Sequence, residues 1–403
     1  MLSQLLIIPQ ILNIISDKLA TNYNAKLIIV GGAVRDHFLN NSIKDYDIEV
    51  YGLDEIKDLE NILKEYGTVN IVGKSFGVLK FNFENEEYDF SFPRLENKVS
   101  KGHRGFDVIC DGNLDFKEAS RRRDFTINAM GYSISTKEFL DPFNGRDDIK
   151  NKLLRVVDAK SFIEDPLRVY RAIQFSARFE YRLSNESEIL CKQMVQDNML
   201  DELPKERVYQ ELVKMLLKSK RPSIGFHLMN RLNIKNNFNL KYIDRASTSN
   251  IKILLATLCI GLDEEESKKL LYTLIDNHNL ILSILKLLRF YNKPHHLYTD
   301  LDIKNLATKI DISELVTLIK VDKNNYEIGE RLLSKAKKLN VENGSIKPLI
   351  NGKELIDIGL TPSPQFKHIL DKLYQTQLEK DITSKDEAIK YLKLYTSSNT
   401  TTG

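Results

Sequence analysis

The aliphatic run Leu27-Ile28-Ile29-Val30 ends on Gly31-Gly32, and this junction constrains the chain more than any other stretch. Such a run reads as a buried strand, and two glycines after it mark a tight turn where backbone comes close to something. Residues 33–40 then follow helical spacing, with Val34, Phe38 and Leu39 on one side. Gly31 and Gly32 therefore stand at a helix N-terminus, where free N–H donors and the helix dipole favour a phosphate, and Arg35 adds a fork-shaped cation nearby. In Asp45-Tyr46-Asp47-Ile48-Glu49-Val50 the acidic and apolar residues alternate. A strand there puts the acids on one face and Tyr46, Ile48 and Val50 on the other. Asp45 and Asp47 repel each other unless a divalent cation sits between them, and such oxygen ligands suit Mg²⁺ that is also held by substrate phosphates. A glycine pair alone is usually a turn, and Asp-x-Asp alone is common on solvated edge strands. The order strand, Gly-Gly turn, helix, acidic strand is what points to metal-assisted transfer of a nucleotide.

The 403 residues, 42% hydrophobic, suffice for a large core and predict two or more domains. Net charge is only +3, so a nucleic-acid surface has to be a local patch. Cys110, Cys191 and Cys259 are far apart and match no zinc spacing, which predicts core thiols in a reduced, cytoplasmic protein. The apolar start Met1 to Pro9 lacks a basic leader and a small-residue cleavage site. It is expected to belong to a helix packed on the first domain, with neither a signal peptide nor a membrane span.

From residue 27 to about 145, short alternating segments (Thr68 to Val72, Gly77 to Phe83, Glu87 to Phe92) read as strands, mixed with helices near 33–40 and 54–65. This predicts an α+β domain. After Leu153 to Val157 the pattern turns helical, with helices expected over 164–179, 205–219, 251–260, 266–275 and 280–291. Turn formers at Ser219 to Pro222 and Asn343 to Ser345 mark breaks. Four folded parts are expected, residues 1–150, 151–220, 221–340 and 341–395, with a disordered polar tail over 396–403.

Two further constellations carry chemistry. Arg121-Arg122-Arg123-Asp124-Phe125-Thr126-Ile127-Asn128 places cations beside an aspartate and an asparagine four apart, on what a helical turn would bring together. A basic run is ordinarily a solvated face, but arginine also gives bidentate phosphate contacts, and an asparagine amide bridges phosphate or ribose oxygens. In Glu164-Asp165-Pro166-Leu167-Arg168-Val169-Tyr170-Arg171, Pro166 marks a helix start, and Asp165 and Arg168 are three apart. One reading is an i,i+3 salt bridge. The other is a base reader: a carboxylate beside a guanidinium accepts from the exocyclic amine and donates to the ring nitrogen of cytosine or adenine, leaving unpaired groups against guanine or uracil.

These residues resemble the class II, or bacterial-type, tRNA nucleotidyltransferase and poly(A) polymerase family. Gly31 to Asp36 is similar to its Gly-Gly-x-Val-Arg-Asp turn, Asp45-Tyr46-Asp47 to its metal pair, Arg122 to Ala129 to its second nucleotide motif, and Glu164 to Arg168 to its base-selecting motif. Lys205-Glu206-Arg207-Val208 resembles the motif that stabilises the neck helices, and Asn351 to Ile356 the apolar helix start of the tail. The resemblance implies a polymerase-β-like head with a mixed sheet, followed by an all-α neck, body and tail. It implies template-independent addition of CCA to the 3′ end of tRNA from CTP and ATP, with Mg²⁺ on Asp45 and Asp47 and Asp89 as a further acid on a neighbouring strand. Gly31, Gly32, Arg35, Arg123, Asp124, Asn128, Asp165, Arg168 and Arg171 would bind the nucleotide, while body and tail hold the acceptor arm. No membrane and no obligate protein partner are implied. Rivals are a poly(A) polymerase, a partial enzyme adding only CC or only A, and a noncatalytic RNA-binding relative.

The polar, basic segment Pro93 to Phe106 reads as a surface loop, and in the family a loop here helps the pocket change from C to A. Gln174 stands where many relatives carry arginine, and Ser363-Pro364 replaces a frequent Gly-Pro. His295-His296 has no partner set for a phosphohydrolase motif, and the long basic C-terminal extension of dedicated poly(A) polymerases is missing.

Overall fold

The computed structural model describes residues 5–72, 78–98, 106–295, 298–357 and 359–399. They form two compact units, Met1–Asn236 and Asn237–Gly403.

In the first unit a helix, α1 (Gln10–Tyr23), precedes β1 (Lys26–Val30), α2 (Gly32–Phe38), β2 (Tyr46–Tyr51), α3 (Ile56–Lys64), β3 (Thr68–Val72), β4 (Val78–Phe83) and β5 (Glu86–Ser91). Then come β6 (Arg94–Lys98), β7 (Phe106–Cys110), α4 (Phe116–Ser120), β8 (Gly131–Ser133), β9 (Glu138–Leu140) and α5 (Gly145–Lys150). Seven strands make one mixed sheet in the order β3-β4-β5-β2-β1-β8-β9, parallel only between β2 and β5. The mixed-sheet head is thus as expected.

Alternation decides the faces. Leu27, Ile29, Ile48 and Val50 point into the main core with Leu12, Ile15 and Leu19 of α1, Leu63 of α3, and Phe81 and Phe90. Burying each such side chain contributes about 1.5–3 kcal/mol. Leu6, Ile11 and Leu12 join this core, but the helix packed on the head starts at Gln10 and residues 5–9 are not helical, which corrects the helix expected over Met1 to Pro9. Ile28 and Val30 face the other way, into a smaller cluster with Tyr51 and Ala119. On that same side β2 carries Asp47 and Glu49.

The segment after Pro93 corrects the loop expected there. Arg94–Lys98 and Phe106–Cys110 pair as an antiparallel hairpin, Arg94 opposite Cys110 and Lys98 opposite Phe106. The alternation of that stretch is strand-like once it has a partner; residues 99–105 lie outside the described residues, as does Gly77.

The helical part of this unit is β10 (Leu153–Leu154), α6 (Ala159–Glu164), α7 (Leu167–Phe179), β11 (Arg182–Leu183), α8 (Asn185–Gln196), α9 (Lys205–Lys218) and α10 (Ser223–Arg231). The helix expected over 164–179 starts at Leu167, because the residue before a proline is driven out of the α region: Asp165 has φ −121° and ψ 95°.

The second unit is all helix among the described residues: Ile251–Leu258, Glu264–Leu274, His278–Tyr291, Asp300–Ala307, Ile312–Ile319, Tyr326–Lys338, Gly352–Asp357, Gln365–Lys380 and Lys385–Asn399. The second of these starts two residues before the expected position, since Asp263 and Glu266 form a reciprocal capping box. Ile281, Ile284, Ile312, Leu315 and Leu318 are fully buried. Leu355 and Leu392 anchor a separate apolar cluster near the C-terminus. The last helix runs through Ser397 to Asn399, into the segment expected as a polar tail, because extending an existing helix fixes one residue per added hydrogen bond. Residues 400–403 and His296 lie outside the described residues. No described helix is long and apolar enough to cross a membrane, and Cys191 and Cys259 are buried free thiols.

Candidate active site

The β1–α2 junction places Gly31 at φ +70° as the cap of α2. A Cβ on Gly31 would lie 2.9 Å from Arg123 Nη1, so the glycine supplies both the left-handed turn and room for that guanidinium. Val30 opposes Asp47 on β1, and Asp47 opposes Asp89 on β5. Asp45 lies just before β2.

Asp47 is exposed and lines a cleft. Its surroundings strip away enough water to push its carboxyl above the ordinary range; Arg123 pulls the other way, while Asp89, Asp45 and Glu49 push it further up. The acids thus leave negative charge that one arginine does not neutralise. Asp45 and Asp47 offer the oxygen ligands a hard divalent cation takes and could hold one here. Asp89 faces Lys80, with Asp89 Oδ1 3.7 Å from Lys80 Nζ. Among the described residues no group of three or more His, Cys, Asp and Glu is arranged to hold a metal ion, so Asp89 does not complete a ready-made trio.

Glu49, two residues along the same face, is 1% exposed. Its Oε1 accepts from Arg122 Nη2 and Arg123 Nη2, both at 2.9 Å, and its Oε2 accepts from Tyr51 at 2.8 Å. Burial alone would raise its pKa, but Arg123 and Arg122 hold it below the usual carboxylate range. The arginine run is thus a pair of guanidiniums pinned under the cleft, with Arg121 turned outward to Glu118.

Asp124 and Asn128 do meet, though through a single 3₁₀ turn (Thr126–Asn128) rather than an α-helical one. Asn128 Nδ2 donates to Asp124 Oδ1 at 2.9 Å, and Phe125 N donates to the same oxygen at 2.8 Å. Oδ2 takes Arg171 Nε at 2.7 Å and Nη2 at 2.6 Å. Both oxygens of Asp124 therefore already accept from protein donors. Burial would raise its pKa, and Arg171 with Asn128 holds it below the usual range. Asp124 thereby braces the arginine motif to α7 while lining the same cavity as the other expected site residues. Arg35 is likewise committed: Nη1 donates to Asn128 Oδ1 at 2.6 Å, Nε and Nη2 donate to Asp36 at 3.0 Å, and the guanidinium lies 4.9 Å from the Phe179 ring centroid.

Asp165 and Arg168 do not form the alternative i,i+3 salt bridge. Arg168 Nη1 donates to Ser161 O at 2.6 Å and Nη2 to Arg122 O at 2.5 Å. Asp165 Oδ2 lies 3.6 Å from Arg207 Nη2. The two side chains share a cavity of about 650 Å³ with Gly31, Asp45, Asp47, Arg123, Asn128 and Arg171. All the site residues expected from the sequence except Asp89 line it. Glu49 as an anchor, and Arg178, Arg207, Lys214 and Lys218 as further lining cations, emerge only in the folded chain. The sequence signal for the cations of α9 was helical spacing, Arg207, Lys214 and Lys218 falling with Glu211 along one face. Gln174 is buried against the same cavity, 2% exposed.

The poly(A) polymerase head domain matches residues 27–155, and the putative tRNA nucleotidyltransferase domain 2 matches residues 245–392. The multifunctional CCA protein of Stenotrophomonas maltophilia is 39% identical over 201 residues, 49% of this chain and 47% of that protein. Residues 27–155 belong to the poly(A) polymerase head domain family. The namesake from Neisseria gonorrhoeae is 39% identical over 189 residues, 47% of this chain and 44% of the relative, so the match spans about half the length of these family members. The Bacillus stearothermophilus CCA-adding enzyme, solved in complex with CTP, shares the fold over 98% of this chain and 100% of its own, with a TM-score of 0.75 at 20% identity. The Thermotoga maritima CCA-adding enzyme, solved with tRNA_CCA, does so over 97% and 96%, with a TM-score of 0.59 at 24% identity.

Proposed function

We propose that this chain adds CCA to the 3′ end of tRNA from CTP and ATP without a nucleic-acid template. The observation that carries this is that one cavity holds both the acidic pair Asp45 and Asp47 and the unbridged pair Asp165 and Arg168. The first pair suits phosphoryl chemistry and the second suits reading a base. The family's solved members in complex with CTP and with tRNA_CCA support the same substrates.

In the proposed reaction the 3′-hydroxyl oxygen of the tRNA bonds to the α-phosphorus, the bond to the β-phosphate oxygen breaks, and pyrophosphate leaves; the hydroxyl proton passes to solvent. Mg²⁺ held by Asp45 and Asp47 would supply charge neutralisation for the triphosphate and the attacking oxygen. Glu49 holds Arg122 and Arg123 so that their remaining donors face the triphosphate. Asp124 locks Asn128 and Arg171, and with them the seam between the head and α7. Arg168, held by two backbone carbonyls, keeps its fork at a fixed angle, while Arg207 holds Asp165. Carboxylate and guanidinium together accept from the amine and donate to the ring nitrogen of cytosine or adenine. Action in the cytoplasm is consistent with the buried reduced thiols.

The test offers purified protein three tRNAs, ending at the discriminator base, after the first C and after the second C, each with the four nucleoside triphosphates separately. CMP addition to the first two and AMP addition to the third is the expected result. No extension of the third tRNA would leave a CC-adding enzyme, extension of only the third an A-adding one, and a long A tract a poly(A) polymerase.

A further inference from the structure

The cavity that holds the base reader is one of two that meet at the acidic pair. A second, of about 770 Å³, extends past the C-terminal end of α2 and the connection to β2, and shares Gly32, Arg35, Asp45, Asp47, Arg178 and Lys218 with the first. Its cations come from four separate stretches of the first unit: Lys44 before β2, Lys152 in the turn after α5, Arg178 on α7, and Lys218 and Lys220 at the end of α9. The four lysines are exposed, and none has a side-chain hydrogen-bond or ion-pair partner among the described residues. Some other exposed lysines of the unit lie against carboxylates, as in Lys64–Glu60 and Lys214–Glu211.

Of the acids lining this lobe, Asp36 is taken by Arg35 and lies 3.9 Å from Arg178, Asp45 and Asp47 belong to the candidate metal site, and Glu180 is the one exposed carboxylate besides them. The four unpaired lysines outnumber Glu180, so a net repulsion among them remains, and a polyanion lying along them relieves it. The chemistry selects which polyanion. In-line displacement puts the attacking 3′-hydroxyl on the opposite side of the α-phosphorus from the departing pyrophosphate. With the nucleotide in the cavity of Asp165 and Arg168, the strand that brings the hydroxyl has to reach Asp45 and Asp47 from the other lobe.

We infer that the lobe lined by Lys44, Lys152, Arg178, Lys218 and Lys220 is the track for the phosphates of the single-stranded RNA 3′ end, separate from the triphosphate side. This rests on the proposed nucleotidyl transfer, and it assigns the two substrates to the two lobes.

The test is the triple variant Lys44→Ala/Lys152→Ala/Lys220→Ala in the full chain. KM is measured for tRNA ending in CC and for ATP separately, and Kd for a short single-stranded RNA is measured across a salt series. Removing three phosphate-binding cations flattens the slope of log Kd against log salt by about 2, at about 0.7 for each phosphate of a single strand. The KM for tRNA is expected to rise at least about tenfold while the KM for ATP stays within about twofold, since Arg122, Arg123 and Arg168 are untouched. The triple Lys→Arg variant restores RNA affinity, because it keeps the charge. An unchanged salt slope and tRNA KM overturns the inference. So does a rise confined to the KM for ATP, which would put the triphosphate in this lobe. If the wild type extends no tRNA, the proposed function fails, and the salt slope for single-stranded RNA still decides whether the lobe takes a nucleic-acid strand.

Discussion

Arg171 grips one carboxylate oxygen of Asp124 with two guanidinium nitrogens, Nε at 2.7 Å and Nη2 at 2.6 Å. Asp124 is 6% exposed, whereas Arg171 keeps some access to the cavity. Removing the charge strands a partly buried guanidinium, so Asp124→Asn is expected to cost about 2–3 kcal/mol of stability, discounted for Arg171's access to water. The folded pKa of Asp124 is lowered, so its contribution is complete above the unfolded carboxylate pKa of about 3.9 and is lost as pH falls through the lower folded value. Melting temperatures of wild type and Asp124→Asn should differ at pH 7 and converge as the pH drops below about 4. Equal melting at pH 7 would deny Asp124 its bracing role.

Glu49 holds Arg122 and Arg123 with a single oxygen. Glu49→Gln keeps the shape but weakens both charge-assisted bonds, each worth about 1.5–3 kcal/mol. The expected outcome is a drop of about tenfold to a hundredfold in kcat/KM for CTP and ATP, with little change in KM for tRNA. Glu49→Asp should restore less than half of the loss on a logarithmic scale, because the shorter side chain does not span to both guanidiniums. Steady-state kinetics with each substrate varied in turn would check this.

Asp47 has its carboxyl pushed up by desolvation and by the neighbouring acids. An aspartate with a raised folded pKa destabilises the fold when ionised: the penalty is absent below the unfolded pKa and complete above the folded one. Asp47→Asn is therefore expected to melt at a higher temperature than wild type at pH 7 without metal, and at the same temperature at low pH. Added Mg²⁺ should raise the melting temperature of wild type and leave Asp47→Asn unmoved, because stabilisation by a ligand requires its site. An equal Mg²⁺ response in both would remove Asp47 from the metal site.

Much of this site was legible in the sequence because its signals are local. The alternation from Asp45 to Val50 fixed the faces of β2, and Gly31 announced a turn that it occupies at φ +70°. Asp165-Pro166 announced a helix start, although the proline's effect on its predecessor moves that start from 164 to Leu167. What stayed hidden depends on contacts between distant residues. Glu49 reads as one more acid until folding brings Arg122 and Arg123, 73 and 74 residues away, onto it. Nor does the sequence show that Asp124 and Arg35 also hold Arg171 and Asn128 in place. The hairpin of Arg94–Lys98 with Phe106–Cys110 was hidden by its polar residues, whose strand character comes from pairing alone.

Arg168 is anchored on Ser161 O and Arg122 O and not on Asp165. Arg168→Ala should therefore relax the choice among bases, by about 1.5–3 kcal/mol of discrimination for one missing charge-assisted hydrogen bond, while leaving the Mg²⁺ response of the melting temperature intact. The ratio of kcat/KM for ATP and CTP to that for UTP and GTP is the measurement. An unchanged ratio would mean that the arginine only ties α7 to the arginine motif.

Everything proposed for this site depends on Asp45 and Asp47 carrying nucleotide transfer onto RNA. Single-turnover incorporation of labelled CMP and AMP into a tRNA lacking CCA, by wild type and by Asp45→Ala, tests it most directly. Wild type with Mg²⁺ is expected to add two C residues and then one A and to take up neither U nor G, whereas Asp45→Ala, folded by its melting curve, is expected to incorporate nothing measurable. Incorporation by Asp45→Ala at the wild-type rate, or uptake of all four nucleotides alike by wild type, would contradict it.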